Sequence, residues 1–134
     1  MKHLRVTLLA VVLLITATNI FAQQTAESFQ TFWESYTTDF TFQEGRTLFP
    51  LPFSYWDFSD FEIEDTPRLT DSISAKDWSY QDFSDTPDYQ VKIQQKYGTY
   101  VVVFLGEENG ICVEYVFGQY DGKWYLTKID DYSN

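Results

Sequence analysis

The chain has 134 residues, of which 20 are acidic and 9 basic, for a net charge of −11. That length bounds it at one domain, and that charge repels nucleic acid and anionic membranes, so neither is an expected partner. One cysteine, Cys112, excludes an intramolecular disulfide, and one histidine, His3, leaves little room for imidazole catalysis or a zinc site.

The N-terminus reads as a signal peptide over residues 1–22. Lys2, His3 and Arg5 give a basic start, Val6 to Ile15 is an apolar run broken only by Thr7, and Ala22 offers a small residue for cleavage. The run is shorter than the roughly 20 apolar residues of a membrane span. A lipid anchor would need a cysteine at the cleavage point, and Cys112 lies far away. The expectation is an exported protein, periplasmic or secreted, with no stable membrane anchor. A retained amphipathic anchor is the alternative. Cleavage removes His3 and two basic residues but no acidic ones. It leaves residues 23–134 as a single acidic domain of 112 residues and net charge −13.

Thr25 to Asp39 is predicted as the first helix. Phe29, Phe32, Trp33 and Tyr36 fall at i, i+3, i+4 and i+7, which is one face. That stripe reads as a core face before it reads as a ligand platform. A second helix is expected over Thr41 to Arg46, capped by Asp39 or Thr41. Leu48 to Phe53 carries two prolines, which remove two amide donors, so it is expected at an edge or as a packed extended segment.

Ser54 to Asp88 is the least regular stretch and holds a near-repeat. Ser54-Tyr55-Trp56-Asp57-Phe58-Ser59-Asp60 and Ser79-Tyr80-Gln81-Asp82-Phe83-Ser84-Asp85 agree at six of seven positions. Their clustered oxygens suit calcium, but they lack the glycine and spacing of a calcium loop, and Asx-turns explain them as well. Ser74 to Asp77 reads as a short helix start, with Trp78 a buried anchor.

Tyr89–Lys96, Thr99–Glu107, Ile111–Tyr120 and Lys123–Asp130 read as four strands of an antiparallel meander. Tyr97-Gly98, Asn109-Gly110 and Asp121-Gly122 are its turns. A turn at Asn109-Gly110 would set Phe104 opposite Tyr115, and one at Asp121-Gly122 would set Phe117 opposite Leu126. Those four residues would share the face that receives the helices. Tyr100 to Leu105 is apolar throughout, as in a central strand covered on both sides. Helices first and a sheet afterwards give an α+β fold.

With His3 removed, no triad is possible and no catalytic or metal-binding residue can be assigned. There is no Gly-rich phosphate loop, and no cofactor is expected. The candidate ligand-contacting residues are Trp33, Tyr36, Glu114 and Tyr115. Glu114 alternates with Cys112 and Val116, so it is either a partly buried carboxylate or a solvated one. Trp56, Tyr55 and Trp124 are nominees for stacking on sugars. Cys112 reads as a small buried apolar residue.

Phe32-Trp33, Asp39, Phe42-Gln43, Arg46 and Phe49-Pro50-Leu51 resemble the start of domain-of-unknown-function family 4348, exported proteins mainly of Bacteroidetes. Ser74 to Trp78 and Gly122-Lys123-Trp124-Tyr125-Leu126 are similar too, so the resemblance spans about residues 30 to 130. It implies a cystatin-like cone, similar to nuclear transport factor two, with N-terminal helices packed on a curved antiparallel sheet. It implies no activity and carries over no catalytic residue.

Three functions compete. The favoured one is a non-enzymatic module of the cell envelope that binds a small molecule or an envelope protein, using an aromatic-lined cavity. The second is a hydrolase or isomerase using carboxylates and tyrosine, with Glu114 or Asp39 at the base of a pocket. The third is a protein-binding or inhibitory module whose acidic surface faces a basic partner.

Overall fold

The computed structural model describes residues 25–59 and 64–134, so the expected signal peptide lies outside the described residues. Helix α1 spans Phe29–Tyr36. It is shorter than expected at both ends, and local hydrogen bonds account for this. The Ser28 hydroxyl accepts from the Thr31 amide at 3.2 Å and caps the start. Ser28 itself is extended, and before it the Glu27 amide donates to the Gly122 carbonyl at 2.8 Å. At the far end, the Thr37 and Thr38 hydroxyls donate to the carbonyls of Trp33 and Glu34. Asp39 is then free to cap helix α2, Phe40–Gly45, by accepting from the Phe42 amide at 3.1 Å.

Six strands follow: β1 Leu51–Trp56, β2 Arg68–Ile73, β3 Tyr89–Lys96, β4 Thr99–Gly106, β5 Cys112–Tyr120 and β6 Lys123–Asp131. A single 3-10 turn, Ala75–Asp77, sits between β2 and β3, where Ser74 donates to the Asp77 carboxylate at 2.8 Å and Trp78 is buried as expected. The strands form one sheet in the order β2-β1-β6-β5-β4-β3.

Two expectations are corrected here. The sheet is mixed rather than antiparallel, because β1 runs parallel to β6 at Phe53–Ile129 and Ser54–Asp130. The proline-containing segment is also an internal strand and not an edge. Pro52 is tolerated because it falls in the gap between the Thr47–Leu126 bridge and the pairing with β6 that resumes at Phe53. Strand β2 was not expected at all. Between its two ends it is exposed and, apart from Leu69, polar, so it carries no sustained apolar alternation, and pairing with β1 alone defines it.

The meander agrees with expectation apart from one register. Tyr97-Gly98 and Asp121-Gly122 form two-residue turns with both residues at positive φ. Phe117 faces Leu126. Phe104, however, faces Val113 rather than Tyr115, and Tyr115 faces Val102. The loop between β4 and β5 has five residues, 107–111, with Glu108 and Gly110 at φ 57° and 74°, and the Gly106 amide donates to the Ile111 carbonyl. A slip of two residues preserves side-chain parity, so the faces are unchanged. A bulge on β6 leaves Thr127 between the pairs Val116–Lys128 and Phe117–Leu126, which bends the sheet there.

Strand β4 is buried on both faces, with Val102 on one and Val101 and Val103 on the other, although it lies next to the edge strand β3. The core is aromatic. Phe29 stacks on Tyr100 at 4.0 Å and meets Phe117 and Trp124 edge-on at 5.6 and 5.4 Å. Phe32 and Tyr36 both contact Phe117. Such pairs contribute about 0.5–1.5 kcal/mol each beyond area burial.

Candidate functional site

The rings of α1 lie against the half of the sheet that ends in the turns at residues 97–98 and 121–122. Towards the other end, the same face carries Phe53 and Tyr55 on β1, Tyr89 on β3, Phe104 on β4, Val113 and Tyr115 on β5, and Asp131 on β6. Phe53 stacks with Tyr55 at 5.4 Å and Tyr89 with Phe104 at 4.8 Å. Apart from the buried Tyr115, these side chains are only partly buried, so this end of the face is an apolar surface with partial access to solvent.

Tyr115 marks the boundary between that surface and the core. It is 9% exposed, and its ring meets Phe83 edge-on at 4.9 Å. Its hydroxyl donates to Oε1 of Gln81 at 3.2 Å. Burial, together with the nearby charge of Asp131, pushes its phenol up to about 12, so it stays a hydrogen-bond donor at neutral pH.

Gln81 is held by a buried clamp. Gln43 is fully buried on α2. Its Nε2 donates to the carbonyls of Tyr36 and Gln81 at 3.1 and 3.0 Å, and its Oε1 accepts from the Gln81 amide at 2.8 Å. Three bonds from one side-chain amide fix the loop between the 3-10 turn and β3 onto the helices, and so aim Gln81 at Tyr115.

The four candidates separate. Trp33 and Tyr36 belong to the core around Phe83 and Phe117. The Thr47 hydroxyl spends its proton on the Gln43 carbonyl, so the Tyr36 hydroxyl donates to Thr47 at 2.9 Å. Burial holds the Tyr36 phenol far above its ordinary range. Only Tyr115 reaches the open end of the face. Glu114 points to the opposite face, between Val103 and Asp130, because neighbours on a strand alternate. Asp39 is an exposed helix cap, and Glu114 is half-buried on the face of the sheet away from the helices.

The remaining nominees also divide. Trp124 is buried and its indole donates to the Glu27 carbonyl at 2.9 Å, which makes it structural. Tyr55 belongs to the half-covered aromatic face. Trp56 lines an open cleft of about 480 Å³ with Phe58, Glu64, Asp65, Thr66 and Asn134. The Arg68 guanidinium lies between Trp56 and Tyr132, 4.6 and 4.3 Å from their ring centres. Cys112 is half-buried rather than buried. Burial, then the charges of Glu114 and Asp131, raise its thiol pKa and keep it protonated.

The near-repeat builds the same turn twice. Asp57 accepts from the Ser59 amide and Asp82 from the Ser84 amide, both at 2.9 Å. The Ser59 and Ser84 hydrogen bonds hold both carboxyls below their usual range. Among the described residues, no group of three or more His, Cys, Asp or Glu is placed to hold a metal. Gln81 and Asp131 were missed in the sequence. One signal for Gln81 existed, since it is the single position at which the two copies differ.

No family model matches the chain, so its resemblance to family 4348 finds no support there. No curated protein matches it either. A solved structure does: the crystal structure of an NTF2-like protein from Bacteroides fragilis, with a TM-score of 0.61 and 21% identity. The match covers 84% of this chain and 50% of that one, so this chain accounts for half the neighbour's length. At that identity the likeness shows the fold alone: an α+β cone similar to nuclear transport factor two.

Proposed function

We propose that this protein is an exported, non-enzymatic module of the cell envelope that binds a small, largely apolar ligand at the open end of its sheet. The observation that carries this reading is the set of partly exposed rings, Phe53, Tyr55, Tyr89 and Phe104, on the same face as the buried Tyr115–Gln81 hydrogen bond. Rings supply area for an apolar or cyclic ligand, and one preorganised hydroxyl–amide pair supplies orientation. The likeness to a cone fold is consistent with a pocket at this place but does not choose its ligand. Export rests on the sequence pattern of residues 1–22.

The test is thermal unfolding of the chain from Gln23 onward against sterol-like, fatty, glycan and calcium additives. A ligand at 100 times its Kd adds about 2.7 kcal/mol. For a domain of this size that is a rise of roughly ten degrees or more. The expected result is a rise with a sterol-like or fatty compound that is lost in Phe104→Ala. A rise with calcium alone, or an equal rise in Phe104→Ala, would sink the reading.

A further inference from the structure

Strand β3 is an edge of the sheet: at its start Thr86 bridges Tyr89 and the Asp85 carboxylate accepts from the Val91 amide at 2.8 Å, and beyond Val91 no described strand pairs with its outer side. Every residue from Lys92 to Lys96 is exposed, Ile93 at 46%, so its outward amides and carbonyls face solvent. Its charge runs against the rest of the chain. From Tyr89 to Gly106 there is no acidic residue, in a protein that has 20, and the only charges are Lys92 and Lys96.

The register sorts these side chains by face. Val91 and Ile93 sit opposite Phe104 and Val102, on the face that meets the helices. Lys92 sits opposite Val103 and Gln94 opposite Val101, so Gln90, Lys92, Gln94 and Lys96 form a row on the other face. A strand added to this edge would therefore meet apolar neighbours on one face and two lysines on the other. Pairing β3 with itself in a second copy would bring lysines together, which is unfavourable.

We infer that β3 is a docking edge for an extended segment of another protein in which acidic and apolar residues alternate. Backbone hydrogen bonds supply the affinity, and the two faces of β3 select the pattern. The rival occupant is a second copy of this chain, whose own Asp60-Phe61-Glu62-Ile63-Glu64 alternates in the same way. Repulsion between two whole domains of net charge −13 disfavours it far more than it does a short segment carrying a few carboxylates. This inference does not depend on the ligand proposed above.

The probe is an end-capped eight-residue peptide alternating glutamate and valine, titrated into the purified protein. Amide shifts are followed by NMR, and affinity is measured at low and high salt. The expected result is perturbation and slowed exchange confined to β3 and its neighbour β4, with binding that weakens as salt is added. The double variant K92E/K96E, checked for an unchanged melting point, should bind about fivefold more weakly, the scale of two exposed ion pairs. A peptide alternating lysine and valine should bind that variant better than the original protein. No binding, shifts elsewhere in the sheet, or indifference to K92E/K96E would overturn the proposal. So would concentration-dependent self-association that the same double variant abolishes, because that would make the occupant a second copy.

Discussion

Gln43 is a polar residue at the centre of an aromatic core, and its value lies in what it leaves satisfied. Gln43→Leu would fill a similar volume while orphaning the Gln81 amide and two carbonyls. The expected loss is about 2–4 kcal/mol in urea denaturation, since unmade buried hydrogen bonds cost more than made ones contribute. A loss under about 0.5 kcal/mol would mean that the clamp does not hold the loop. Glu27 is a second such residue. Partial burial pushes its carboxyl up, but Arg46 at 2.7 Å and the Trp124 amide outweigh this and leave it below the usual 4.5. A depressed folded pKa contributes stability that is fully present above about pH 4.5 and is lost as pH falls through the folded value. Denaturation midpoints measured from pH 6 down to pH 2 should therefore drop less steeply in Glu27→Gln.

At the scale of elements, caps and turns decide where each segment stops. Asp39 closes the gap between α1 and α2, and Asp39→Ala should cost about 1 kcal/mol by loss of the cap. Two glycines should respond in opposite directions to alanine. Gly122 sits at φ +73° in the last hairpin, and its new Cβ would meet only the Ala26 Cα at 3.7 Å, so the cost is strain, about 1–2 kcal/mol. Gly45 ends α2 with nothing within 4 Å of an added Cβ and no positive φ. There alanine should stabilise by about 0.5–1 kcal/mol. Melting points of the two variants, taken side by side, check both signs.

For the whole molecule, the aromatic core links stability to alkaline pH. Burial raises the phenols of Tyr36 and Tyr115, the latter to about 12 from an ordinary 10. A raised folded pKa contributes stability that is fully present below pH 10 and is lost as pH rises through the folded value. Unfolding above pH 10 should therefore be cooperative. Part of the tyrosine absorbance change at about 295 nm, the share of these two phenols, should coincide with loss of circular dichroism. If all the phenolate signal appears before any loss of structure, neither ring is the buried donor described above.

Much of this architecture was legible in the chain. Phe29, Phe32, Trp33 and Tyr36 announce the core face of α1 because a helix places i, i+3, i+4 and i+7 together. The four meander strands were legible because Gly98 and Gly122 permit turns that few other residues can make. What stayed hidden depends on contacts distant in sequence. Strand β2 exists through its pairing with β1, and β1 lies inside the sheet because β6 returns beside it from more than seventy residues away. No local period encodes either pairing. Glu114 and Tyr115 looked equally eligible as letters, and strand parity sent them to opposite faces of the sheet. By itself, then, the sequence determined the elements with their own periodicity and turn chemistry, together with the charge and the absence of imidazole from the domain after residue 22. Only the tertiary structure decided sheet order, the register after β4, and the meeting of Tyr115, Gln81 and Asp131, because these follow from burying one shared aromatic face.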